Sequence, residues 1–168
     1  GLAAPQINHG IRLFIVDTEP FAEMEEDEDE EDAEFTPEQR KEVEAFKKIF
    51  INARIIEEEG VEWSFNEGCL SIPDIREDIQ RQETIRISYL DEKGNAHEET
   101  YSGMAARIIQ HEYDHIEGKL FVDKLSPLRK AMLKSKLESI SKGFIKVDYK
   151  MKFPALKTNT KMGGKKKR

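Results

Sequence analysis

The chain has 168 residues, enough for one domain with its own core, and its single cysteine, Cys69, excludes an internal disulfide. The net charge of −7 divides into −10 from residues 23–34 and +3 from all the others, so the body is nearly neutral and the low pI says little about its partners. No signal-like start and no long apolar run are present, which predicts a reducing, cytoplasmic setting of bacterial type with no membrane and no disulfide partner.

Gly1-Leu2-Ala3-Ala4-Pro5-Gln6 starts abruptly, as if the chain's beginning were missing. Asn8, His9 and Gly10 make a turn before a buried strand over 11–16. The acidic stretch 22–34 lacks apolar surface and is expected to be a solvated, mobile loop. Thr36-Pro37-Glu38-Gln39 fits a capping box, predicting a helix to about Ala45. Residues 46–59 then favour a strand, Gly60 a turn, and Trp63 with Phe65 a further extended segment.

A strand over 84–90, a turn over 91–95 and a return over 96–101 follow, with His97 exposed on the return. Ser102 can N-cap the next helix and Gly118 can end it. Leu120-Phe121-Val122 is a short apolar segment. Ser126-Pro127 opens a last helix to about Lys142, with Leu128, Met132, Leu133, Leu137 and Ile140 as its apolar face. Residues 144–153 alternate in a way that predicts a half-buried strand. The expected fold is α+β: antiparallel sheets around a central helix, with a C-terminal helix and a short terminal strand. Residues 1–154 form the single domain, and 155–168 a basic tail expected to be disordered.

The central helix carries His111-Glu112-Tyr113-Asp114-His115. Two histidines four apart leave one helix face a turn apart, where both ring nitrogens can reach one metal ion. Glu112 sits beside them, able to handle a proton without being a ligand. Two histidines on an apolar face also occur as hydrogen-bonded core residues, and the motif alone leaves both readings open. Cys69 is a candidate ligand or nucleophile, or simply a small buried hydrophobe.

Three motifs, Gly1-Leu2-Ala3-Ala4-Pro5-Gln6, Glu67-Gly68-Cys69-Leu70-Ser71 and His111-Glu112-Tyr113-Asp114-His115, resemble those of the peptide deformylases in order and spacing. The likeness runs from Gly1 through Leu128. It implies a three-ligand site of Cys69, His111 and His115 holding one divalent ion, Fe2+ above all, with Zn2+, Ni2+ or Co2+ able to replace it. It also implies hydrolysis of the N-formyl group from the initiator methionine of a new polypeptide. Glu112 is then the proton carrier, with the Leu70 N–H and the Gln6 amide as oxyanion donors.

Phe65, Met104 and Ile108 become candidates for an apolar methionine pocket, and each would equally serve as ordinary core. Gly1 is a candidate for pairing with the peptide backbone. Glu67 with Arg76, and Asp114 with Arg81, are expected supporting pairs. In this family a helix and a further glycine precede the first motif, so the chain as it stands is expected to be less stable and slower than an extended form. The basic end, Lys165 to Arg168, is a possible contact for the ribosome. The alternatives are a zinc metalloprotease of the His-Glu-x-x-His type, or an inactive metal-binding remnant.

Overall fold

The computed structural model describes residues 1–18 and 46–153. The expected acidic loop, the helix before Phe46 and the basic tail lie outside the described residues. Five antiparallel strands form one sheet in chain order: β1 (Leu2–Ala3), β2 (Leu13–Asp17), β3 (Lys47–Cys69), β4 (Ile72–Leu90) and β5 (Ala96–Ser102). The helices are α1 (Gly103–Ile116) and α2 (Pro127–Ser141), with single 3-10 turns at Ala4–Ile7 and Phe121–Lys124.

β3 and β4 make one long hairpin that bends through register shifts, and one of these replaces the turn expected at Gly60. The strand passes through Gly60 at φ +91°, between Glu59 and Glu62, so the glycine serves a bulge instead of a reversal. β4 also starts earlier than Thr84. Its buried positions alternate from Ile75 through Glu77, Ile79, Arg81, Ile85 and Ile87 to Tyr89. Two inward charges, Glu77 and Arg81, break up the apolar pattern that would have marked the whole strand.

The face of the sheet toward α1 buries Phe14, Val16, Phe50, Ala53, Ile85 and Ile87 against Ala106 and Ile109. Phe14 and Phe50 face each other across the β2–β3 ladder and stack at 4.7 Å. Each such ring buried is worth about 1.5–3 kcal/mol. A second cluster joins Ile72, Ile75 and Ile79 of β4 to Phe121, Val122 and Ile140. α1 thus packs Ala106 and Ile109 into the first cluster, and its His111 ring stacks on Phe121 of the second at 6.1 Å.

Ser102 stands at the N-cap of α1, but its hydroxyl pairs with Thr84 Oγ1 at 3.0 Å and makes no cap bond. Gly118, at φ +70°, turns the chain out after Glu117. In α2 the Ser126 hydroxyl does cap, accepting from the Arg129 N–H at 3.3 Å. Only part of the expected apolar face packs: Leu133 and Leu137 join Ile140, whereas Leu128 and Met132 are exposed. The terminal strand is a correction as well. Residues 144–153 join no ladder and run as an irregular strap, anchored by Ile145 in the second cluster. Their alternation reflects one side lying on protein without a neighbouring strand to pair with.

Candidate metal centre

α1 presents His111 and His115 from successive turns, and the end of β3 brings Cys69 up to them. The Cys69 sulfur and one nitrogen of each histidine lie within 4.8 Å of one another. Cys69 Sγ is 3.3 Å from His115 Nε2. His111 Nδ1 lies 2.9 Å from Glu67 Oε2, so it donates there and leaves Nε2 as the ligand atom. Burial pushes the Cys69 thiol up, but the two imidazoles outweigh it and bring the thiol down to about 5. His111 moves the other way, to about 9, because its bonds to Cys69 and Glu67 outweigh burial. A sulfur that ionises readily, with two oriented imidazoles, is a donor set that fits a divalent transition metal and leaves one position open.

Glu67 is the hub behind the ligands. Arg81 donates to both its oxygens, at 2.7 and 3.0 Å, and Arg107 adds a bond at 2.9 Å. Burial would raise this carboxyl, yet His111 and Arg81 hold it far below the usual carboxylate range. Arg81 also donates to Asp114 at 2.7 Å, as the sequence suggested. The expected partner of Glu67 was wrong: Arg76 bonds Asn66 instead. The reason is strand geometry, since Arg76 is on the outward side of β4 and Arg81 on the inward side.

Arg107 was not singled out in the sequence, although it is one helical turn before His111 and so shares its face. Its guanidinium donates to the carbonyls of Ile79 and Trp63 at 2.9 and 2.6 Å and lies 4.1 Å from the Trp63 ring centre. A charged residue at an inward helical position was the available signal.

Glu112 is 5% exposed, and its Oε2 has no hydrogen-bond partner among the described residues. Burial raises its pKa. The Gly1 nitrogen is 3.9 Å from Oε1, and a Cβ at Gly1 would meet that oxygen at 2.5 Å. Glycine there makes room for the carboxylate. Gln6 reaches the same place from the first 3-10 turn. Its amide nitrogen is 3.6 Å from Cys69 Sγ and donates to Ser71 Oγ at 3.1 Å, while its oxygen accepts from the Ala3 N–H at 2.7 Å. Leu70 stands at the tip of the β3–β4 hairpin, exposed, beside Cys69.

These groups open into a cleft of about 950 Å3. Gly1, Phe65, Met104 and Ile108 all line it, and Met104 packs with Trp63, Phe65 and Ile108 in a small apolar cluster. The structure thus brings every candidate site residue but His115 to the lining of one cleft, and His115 stands behind it against Cys69. It adds Tyr149 to the cleft wall, and gives the Ser71 of the second motif a part as the acceptor that holds the Gln6 amide.

An α+β sheet wrapped on a His-Glu-x-x-His helix, with a cysteine as third donor, defines a hydrolase-type metal site. The comparisons with known proteins say which. The family model for polypeptide deformylase matches residues 1–131. Peptide deformylase of Christiangramia forsetii is 57% identical over 157 residues, covering 94% of this chain and 76% of that one. The Flavobacterium johnsoniae peptide deformylase is 49% identical over the same coverage. Among solved structures, the fold is similar to a Plasmodium falciparum peptide deformylase bound to an inhibitor, with TM-score 0.61, 32% identity, and coverage of 83% of this chain and 71% of that one. A Legionella pneumophila peptide deformylase gives TM-score 0.60 at 34% identity, covering 85% and 71%.

The chain belongs to the polypeptide deformylase family, metal-dependent hydrolases that remove the N-formyl group from newly made polypeptides. The metalloprotease alternative falls with that. Among the described residues no helix is long and apolar enough to cross a membrane.

Proposed function

We propose that Cys69, His111 and His115 hold one divalent ion, Fe2+, in the open site of a deformylase acting on N-formylmethionyl peptides in the cytoplasm. A thiolate with two imidazoles would accept Fe2+, Zn2+, Ni2+ or Co2+, and the family resemblance favours Fe2+. When bound, the ion supplies Lewis acidity to a water and to the formyl oxygen.

The chain's own residues do the rest. Glu112 takes a proton from the attacking water and returns it to the departing amine. Its burial and its raised pKa suit a group that must hold that proton between the two steps. The Gln6 amide and the Leu70 N–H are the donors toward the developing oxyanion. Phe65, Met104 and Ile108 take the methionine side chain, and Gly1 meets the peptide backbone. Glu67, held by Arg81 and Arg107, keeps His111 in one tautomer and one orientation. Lys165 to Arg168 would serve as the contact with ribosomal RNA.

The single observation that carries this reading is the buried Glu112 oxygen, unpartnered among the described residues, beside three converging ligand atoms. The test is formate release from formyl-Met-Ala by the wild type and by Glu112→Gln. The variant should keep its metal and lose about a hundredfold or more in kcat. A variant that loses its metal would make Glu112 a ligand. One that keeps full activity would remove it from the proton path, and a wild type that released no formate would favour the inactive-remnant reading.

A further inference from the structure

The family match ends at residue 131, so the strap over 144–153 lies beyond it. The strap is tied at its start, where the Phe144 N–H donates to the Ser139 carbonyl at 2.9 Å and Ile145 enters the second cluster. It is tied at its end by the Phe153 ring, which packs so close to Gly143 that a Cβ there would meet it at 3.0 Å. Between these points Lys146, Val147, Asp148 and Tyr149 form the outer side of the cleft. From there the Tyr149 hydroxyl donates to the Leu70 carbonyl at 2.7 Å.

We infer that Tyr149 is a positioning residue for deformylation: its hydroxyl pins the Leu70 carbonyl from the outer side of the cleft and so aims the Leu70 N–H at the reacting carbonyl. The inference rests on the proposed role of Leu70 as an oxyanion donor. Leu70 and Ser71 are the two residues between paired Cys69 and Ile72, and Leu70 is 60% exposed. The tip is a two-residue turn whose Leu70 side is open to solvent. Gln6 grips it from the inner side through Ser71, and Tyr149 from the outer side through Leu70. The two peptide planes that meet at the Leu70 Cα share its torsions. Fixing the carbonyl of one narrows the swing of the N–H of the other. An oxyanion donor gains its effect by being aimed before the charge develops, which is what a second anchor supplies.

The test is Tyr149→Phe in the full chain with metal bound, which keeps the ring against the cleft and removes one hydroxyl. With formyl-Met-Ala, kcat should fall roughly three- to tenfold, a fraction of what losing a whole oxyanion donor costs. KM, metal content and urea midpoint should stay at wild-type values, a split that general loosening of the fold would not give. A second variant replaces Leu70 by its α-hydroxy acid, which turns the N–H into an ester oxygen. That ester should also lower kcat, and adding Tyr149→Phe to it should cost nothing further. A full-speed Tyr149→Phe enzyme beside a slow ester overturns this inference and leaves the role of Leu70 standing. A full-speed ester removes Leu70 from the mechanism and this inference with it. Additive losses would also overturn it, since the hydroxyl would then act elsewhere.

Discussion

The two walls of the cleft are built on different physics. The inner wall is a buried ion network in which Arg81, Arg107, Glu67 and Asp114 are all less than a tenth exposed and every carboxylate has a guanidinium partner. The outer wall is a hairpin tip and a strap, with Leu70 and Lys146 exposed and one hydroxyl bridging the two. The inner wall orients His111, through Glu67, by interactions that are costly to break. The outer wall is held by interactions that are cheap to break. Removing groups from the inner wall should therefore cost stability and metal affinity, and removing them from the outer wall should cost turnover alone.

The largest expected effect is Arg81→Ala. It strips one buried carboxylate of a bidentate partner and another of its closest cation, and breaking such a pair costs about 3–5 kcal/mol. Urea unfolding measures it. A loss below about 1 kcal/mol would put this network in the class of surface ion pairs and erase the contrast between the walls.

Next comes Glu67→Gln, which keeps the shape and removes the charge that His111 donates to. Metal affinity should drop roughly tenfold to a hundredfold, as it does when an outer partner of a ligating histidine is lost. Competition with a chelator reads this directly, and an unchanged affinity would mean that His111 is oriented by its packing on Phe121 instead.

What was legible in the sequence follows the same division. The shared face of His111 and His115, the α1 boundaries near Ser102 and Gly118 and the hairpin turn at 91–95 were readable, because helical spacing and turn chemistry are local, whereas Cys69 was joined to the histidines only by the family resemblance. The turn is held as such chemistry expects, with Asp91 Oδ1 accepting from the backbone N–H groups of Lys93 and Asn95 at 2.9 and 2.8 Å. The first half of β4 was not readable, because Glu77 and Arg81 stand at inward positions where an alternating pattern should be apolar. These are the places where the fold spends its regularity on the site. The partner of Glu67 depended on which side of β4 each arginine faces, and that depends on a register no local pattern reports. The strap over 144–153 alternates as a strand would, yet an alternating stretch forms a ladder only where a free edge adjoins it.

Smaller effects sharpen the outer half of the comparison. Lys146→Ala, at an exposed cleft position, should leave the unfolding free energy measured in urea within about 0.5 kcal/mol of wild type. A larger loss would show the strap to be part of the fold's stability.

The smallest effect belongs to a surface group far from the metal. Burial would raise the Glu99 carboxyl, but bonds from Lys48, Tyr101 and Tyr89 outweigh it and hold the group at about 2, against 4.5 for a free glutamate. A depressed pKa contributes stability above the unfolded value and loses it as the pH falls. The gap between wild type and Glu99→Gln should thus be widest above about 4.5 and close toward about 2. It should be small throughout, because Glu99 is 36% exposed and solvent screens the pair. A gap independent of pH would mean that the charge of Glu99 contributes nothing.

The central claim is that one ion sits where Cys69, His111 and His115 converge. Metal stoichiometry of the wild type and Cys69→Ala, purified side by side and dialysed against the same Fe2+ or Zn2+, tests it most directly. The account predicts one ion per wild-type chain and almost none in the variant, with both chains folded by circular dichroism. A Cys69→Ala chain that still bound one ion as tightly would contradict it and make the cysteine a packing residue.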